Sequence, residues 1–143
     1  MNLLQLEHSK DTEEIVNNSM EAVAILRNCP LSPQKMRLVV DQIRGQKVEN
    51  ALNILQFNQR KYYAGYVEKL LKSAISNWEQ KNNGSKADEN NLVVSSVFVD
   101  GAFVAKRMRT APQGRAYRIR KRYNHITIKV DSINNKETQL AEA

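Results

Sequence analysis

The segment KRMRTAPQGRAYRIRKRYNH, Lys106 to His125, carries eight Lys and Arg in twenty residues and no Asp or Glu. Residues Gly101 to Val130 hold nine basic groups and no acid, whereas the remaining residues hold 13 basic against 15 acidic groups. The chain's formal charge of +7 therefore originates entirely in one stretch. A whole-chain excess of Lys and Arg would say little, but a basic block beside a nearly neutral body reads as a surface built to meet phosphate.

The flanks of that block restrict its shape. LVVSSVFVD before it and YNHITIKVD after it both read as strands, with Ile126, Ile128 and Val130 on one face and Thr127 and Lys129 on the other. If the two are partners in an antiparallel hairpin, the turn falls near Thr110 to Gly114, where Pro112 and Gly114 supply turn residues. Each arm from Phe98 to the tip is then about fourteen residues, or roughly 45 Å at ~3.3 Å per residue. A domain of this size has a radius of gyration near ~14 Å. Such an arm has to project, and a lone two-stranded ribbon is marginal in water. Its like charges repel as well, so an anionic partner lying along it is expected.

The composition of the block narrows that partner. Arg outnumbers Lys six to two, and the planar guanidinium binds phosphate bidentately and stacks on bases. Tyr117 and Tyr123 are candidates for base stacking, while Ala102, Ala105, Ala111 and Ala116 keep the ribbon thin. A slim Arg-rich ribbon suits crevices in folded RNA, where shape, phosphate and 2′-hydroxyl are read.

The remainder of the chain reads as one domain, residues 21–131, between an acidic extension at 1–20 and a polar tail at 132–143. Within it, EAVAILRNC is a strand ending at Pro30. LSPQKMRLVVDQIRG is a helix with Ser32 as N-cap, Pro33 at the first helical position and Gly45 just past the end. Leu31 and Met36 stand where a hydrophobic staple would pin its entry. Met36, Val39, Val40 and Ile43 form its buried stripe, leaving Lys35, Arg37 and Arg44 to be solvated or to meet a partner. A second helix buries Val48, Ala51, Leu52 and Leu55. A third, from about Gln59 to Lys81, buries Ala64, Val67, Leu71, Ala74 and Trp78, so Trp78 reads as core packing. KNNGSKADENN is a polar loop.

Several functional classes are disfavoured. One cysteine, Cys29, cannot form an internal disulfide framework, and with His8 and His125 far apart no zinc-ligand spacing exists. Neither a metal nor another cofactor is expected. The N-terminal residues lack the pattern of a signal peptide and no stretch reaches the length of a membrane span, so a cytoplasmic protein without a membrane partner is expected. There is no glycine-rich phosphate loop and no nucleophile motif, so neither an enzyme nor a small-molecule substrate is expected. Glu68, Glu79, Asp100 and Asp131 read as separate carboxylates in ion-pair or turn roles, and His125 as packed or RNA-facing.

SPQKMRLVVDQIRGQKVENALNIL, VEKLLKSAISNWE, VSSVFVDG and GRAYRIRKRYNHITIKV, in that order, resemble the bacterial large-subunit ribosomal protein L-twenty-two family from about Ala24 to Val130. The resemblance implies an α+β fold: three helices packed on a small antiparallel three-stranded sheet, with a long protruding β-hairpin at about 98–125. It implies a structural constituent of the large ribosomal subunit that binds large-subunit rRNA, its domain near the mouth of the peptide exit tunnel and its hairpin lining the tunnel wall. The rRNA-binding set expected on this basis is Lys35, Arg37, Arg44, Lys106, Arg107, Arg109, Arg115, Arg118, Arg120, Lys121, Arg122 and His125. The tunnel-lining tip comprises Ala105, Lys106, Arg107, Thr110, Ala111, Pro112, Gln113 and Arg115, close to a loop of the neighbouring L-four ribosomal protein and to the nascent peptide. The family's tip-flanking MKR becomes Ala105, Lys106 and Arg107 here, and its PRA.GRA becomes Thr110 to Ala116, with one tip charge missing. Changes at the MKR positions affect macrolide sensitivity in the family. A rival from another class is an architectural protein that bends DNA with a Pro-tipped basic β-arm, Pro112 and Met108 being the wedge residues.

Overall fold

The computed structural model describes residues 21–82 and 92–132 of the chain. The acidic extension expected at 1–20, most of the loop expected at 81–91 and nearly all of the tail expected at 132–143 lie outside those residues. Strand β1 spans Ala22–Cys29, helix α1 Pro33–Val40, α2 Val48–Gln56, α3 Lys61–Lys81, strand β2 Leu92–Thr110 and β3 Ala116–Ser132. The strands form one antiparallel sheet in the order β1-β3-β2, with the long β2 and β3 making the hairpin.

Period-two patterning makes one face of the sheet a wall of the core. Ile126, Ile128 and Val130 on β3 are fully buried, as is Val94 on β2, with Val97, Val99, Ala22 and Ala24 beside them. The helical layer closes over this wall with Met36, Val39 and Val40 of α1 and Ile43 of the turn after it, then Val48, Ala51 and Leu55, then Ala64, Val67, Leu70, Leu71, Ala74 and Trp78, all buried. Trp78 is thus core packing, at 2% exposure. Leu52 is only partly buried against the cluster. Among the described residues no helix covers the sheet's other face, and Ile25 and Phe98 there are about half exposed.

Helix α1 is shorter than its sequence spacing suggests. Ser32 occupies the N-cap position with an extended backbone, but its side chain makes no capping hydrogen bond. The helix ends at Val40, and Gln42 and Ile43 instead donate to Val39 and Val40 in tight i to i−3 turns, both at 3.2 Å. The edge of β2 imposes this early end. Gly45, at φ +72°, swings the chain onto that outer edge, where Gly45 N–H donates to Val94 O and Val94 N–H donates to Gln46 O, each at 3.0 Å. A helix continuing to Arg44 would carry this segment past the strand; the tightened turns keep Ile43 in the core and still deliver the edge pairing.

Side chains complete the edges. Arg37 donates through Nε and Nη2 to Val99 O at 3.2 and 2.9 Å, and Arg44 Nη2 donates to Val97 O at 3.2 Å while pairing with Asp41 at 3.1 Å. On the opposite edge Asn77 Nδ2 donates to Val23 O at 3.1 Å and Lys81 Nζ to Glu21 O at 2.9 Å. Both outer strands thus have carbonyls capped by groups from the helical layer, a way of blunting sheet edges.

Two register shifts lie side by side where the hairpin leaves the body. One falls between Leu26 and Cys29 on β1 and contains Asn28 at φ +56°, and the other falls between Gly101 and Val104 on β2. Between them Asn124 is fully buried and its Nδ2 donates to Leu31 O at 2.9 Å, tying β3 to the entry of α1. Phe98 to Gly101, opposite Asn124 to Thr127, still belong to the sheet over the core. The free ribbon runs from the Val104–Arg122 row to the Thr110–Ala116 row, about 20 Å at ~3.3 Å per residue.

Stability should divide along the same line. Replacing residues 105–121 by an Asn-Gly turn leaves every core side chain in place, so the far-ultraviolet circular dichroism and a cooperative melt should persist; loss of the melt would place the ribbon in the core. Arg37→Ala should lower unfolding free energy by about 1–2 kcal/mol, because it strips a carbonyl of a charged donor, while Lys35→Ala, with its exposed side chain, should stay within ~0.5 kcal/mol. Chemical denaturation of both variants would measure the difference.

Candidate nucleic-acid interface

The ribbon's register sorts its charges by face. Cross-strand partners share a face, so Val104 with Arg122, Lys106 with Arg120, Met108 with Arg118 and Thr110 with Ala116 form one side. Ala105 with Lys121, Arg107 with Ile119 and Arg109 with Tyr117 form the other. The first side carries Lys106, Arg118, Arg120 and Arg122, and the second Arg107, Arg109 and Lys121. Charge is present on both sides, and all seven residues are exposed. None of them forms an ion pair among the described residues; Arg107 only donates to the neighbouring carbonyl of Lys106. Alternation places Arg118, Arg120 and Arg122 in a row at roughly 6–7 Å intervals, comparable with the spacing of successive phosphates along a nucleic-acid strand.

A tight turn closes the tip. Ala111 N–H donates to Arg115 O at 2.9 Å around a 3-10 turn at Pro112–Gly114, with Gln113 at φ +62° and Gly114 at +73°. Pro112 presets its own φ and Gly114 accepts the left-handed conformation freely; Gln113 adopts it against the steric preference of a residue with a Cβ. Pro112, Gln113 and Arg115 are exposed, whereas Ala111 is partly covered.

Other expected site residues lie elsewhere. Lys35 is exposed on α1, far from the ribbon in sequence, and Arg37 and Arg44 direct their guanidinium groups to the carbonyls of Val99 and Val97. His125, partly buried at the ribbon's root, accepts a hydrogen bond from Asn28 N–H at Nδ1 at 3.0 Å. That bond requires Nδ1 to be unprotonated, so a neutral ring carries its proton on Nε2. Tyr117 is exposed, but Tyr123 stacks on Phe103 with ring centroids 4.2 Å apart and planes at 17°. Sequence spacing does not mark Phe103, since only the register shift at 102–103 brings it opposite Tyr123.

Two of the carboxylates have local partners. Glu68 pairs with Lys72 at 2.7 Å, and Asp131 accepts from Ser132 N–H at 2.8 Å. Among the described residues no three His, Cys, Asp or Glu side chains converge as metal ligands would, and no helix is long and apolar enough to cross a membrane. Burial pushes the Cys29 thiol up from its ordinary pKa, away from reactive thiolate character.

The family described as ribosomal protein L22p/L17e matches residues 24–131. The chain is 54% identical over 128 residues to the large ribosomal subunit protein uL22 of Flavobacterium johnsoniae, covering 90% of this chain and 92% of that one. It is 59% identical over 112 residues to the uL22 of Porphyromonas gingivalis, covering 78% and 82%. Against the uL22 of Bacteroides fragilis strain YCH46 it is 58% identical over 116 residues, covering 81% and 84%.

Unpaired basic groups along a ribbon release counterions when phosphate replaces them. Binding of the full chain to poly(U) should weaken with salt along a log-log slope of several units, at about −0.7 per phosphate neutralised. Converting Arg118, Arg120 and Arg122 to Gln should flatten that slope by roughly two units. A slope near −1 for the unaltered protein would mean that most of the ribbon stays solvated.

Proposed function

The chain belongs to the ribosomal protein L22p/L17e family, and on that premise we propose that it is a structural constituent of the large ribosomal subunit. In this reading it binds large-subunit rRNA with its body and arm, and the tip of the arm lines the nascent-peptide exit tunnel. The observation that carries the reading is the presence of unpaired charge on both sides of the free ribbon. A ribbon lying on a surface needs positive charge on one side only. One that is threaded through folded RNA meets phosphate on both.

The residues divide by role. Lys106, Arg107, Arg109, Arg118, Arg120, Lys121 and Arg122 bind phosphate along the arm, with Arg115 doing so at the tip, and Lys35 adds a contact from the body. Arg37 and Arg44 contribute positive potential, while their N–H groups serve the edge of β2. His125 holds the root of the arm through Asn28 and offers Nε2 to RNA. At the tip, Ala105, Thr110, Ala111, Pro112 and Gln113 present small or neutral groups beside Lys106, Arg107 and Arg115, suited to a wall that a nascent peptide passes without sticking. A loop of the L-four ribosomal protein is the expected neighbour there. The protein does this work in the cytoplasm and catalyses no reaction.

The exposed Pro112 at the end of a basic arm keeps one other reading in play, a wedge that kinks duplex DNA. Sedimentation separates the two. A tagged full chain should travel with the large subunit through high-salt sucrose gradients and should not shift duplex DNA under the same conditions. With Cys29→Ser as background, Gln113→Cys should cross-link to stalled nascent chains inside assembled ribosomes. Protein that stays at the top of the gradient and bends DNA would overturn the ribosomal reading, and assembly without any nascent-chain adduct would overturn the tunnel assignment.

A further inference from the structure

Ile25, Phe98, Phe103, Tyr117 and Ile119 are all exposed large apolar side chains, and they share one surface. That surface is the face of the sheet turned away from the helices, together with its continuation along the arm. Pairing fixes the layout. Ile25 and Phe98 flank Thr127 in a single row across the three strands, Asp100 and His125 form the next row, and the stacked Phe103–Tyr123 pair comes after it. Beyond that pair lie Lys121, then Arg107 with Ile119, then Arg109 with Tyr117. The same face therefore carries Ile25, Phe98 and the Phe103–Tyr123 pair toward the body, and Lys121, Arg107 and Arg109 interleaved with Ile119 and Tyr117 toward the tip.

We propose that this open face is a base-stacking platform for unpaired RNA nucleotides, one base lying on Phe98 and another on the outer side of the Phe103–Tyr123 stack. Arg107, Arg109 and Lys121 then hold the phosphates on the tip side. The proposal deepens the ribosomal reading and rests on the arm being an RNA-binding ribbon. Continuity with that ribbon argues for RNA rather than a protein partner. The apolar groups are also interrupted by Thr127 and by the Asp100–His125 row, which suits separate bases more than a continuous apolar partner. Rows 127 and 123 lie about 13 Å apart along β3. That is too far for two bases stacked on each other and suits the splayed bases of a single-stranded loop. Aromatic side chains on an uncovered antiparallel sheet are a general means of holding such bases.

The test uses the full chain and a short unstructured oligouridine containing one 2-aminopurine, whose fluorescence is quenched by stacking. The unaltered protein should quench it on binding. Phe98→Leu and Phe103→Leu, which keep apolar bulk but remove the ring, should each weaken binding roughly tenfold and reduce quenching, with the salt slope unchanged; Phe98→Trp should restore both. The triple Arg118, Arg120, Arg122 to Gln variant alters only the opposite side of the arm, so it should lower the salt slope and leave quenching at saturation intact. Because quenching is read on the unaltered protein, a folding defect in a variant does not blunt the test. Binding with a steep salt slope but no quenching, or with Leu variants equal to the parent, overturns the platform and leaves the arm reading standing. A slope near −1 overturns the arm reading, and the platform with it.

Discussion

Backbone pairing of β3 to neighbours on both sides is the interaction on which the rest of the molecule depends. At its C-terminal end the strand is locked by Ile126, Ile128 and Val130, each fully buried and each contributing about 1.5–3 kcal/mol of apolar burial. The N-terminal end of the same strand carries Arg118, Arg120 and Arg122 in the open. Even-numbered positions face the core along one part and solvent along the other, so the register set by burial also decides which way the arginines point. A slip of one residue would invert both at once. An arm that could not hold its own shape thus inherits its geometry from a core it does not touch.

The root of the arm converts that inheritance into direction. The shift at 102–103 lets Phe103 stand beside Tyr123, and the shift at 27–28 lets Asn28 reach His125 while β1 ends. Buried Asn124 sits between these irregularities and is anchored to Leu31. Bulges bend the strand that carries them and increase its local twist, so the exit angle of the arm is set by side-chain contacts at its base and not by the ribbon.

Much of this is written plainly in the chain. The alternation in ITIKV identifies the buried face of β3, the stripe from Ala64 to Trp78 identifies the long helix, and the Arg-rich stretch without acids identifies the arm. What escapes a linear reading are contacts whose partners lie far away. Arg37 looks like any solvated arginine on an amphipathic helix, because the carbonyl it serves is 62 residues further on. The early end of α1 has the same origin, since the edge of β2 that captures Gly45 and Gln46 is nearly fifty residues downstream. Phe103 carries no periodic signal, because a register shift is a property of a pair of strands.

The capped edges of the sheet matter most before the molecule has found its place. A freshly synthesised chain with a long hairpin and two bare strand edges would be prone to add copies of itself by edge pairing, the route that leads to insoluble fibres. Gly45, Gln46, Arg37 and Arg44 occupy positions on one edge, and Asn77 and Lys81 occupy carbonyls on the other. Self-association by strand addition is thereby discouraged, and the mutual repulsion of the arms opposes it further. The unassembled protein is left with adhesive surfaces that favour a polyanion over its own kind, so waiting for a partner and recognising it depend on the same distribution of groups.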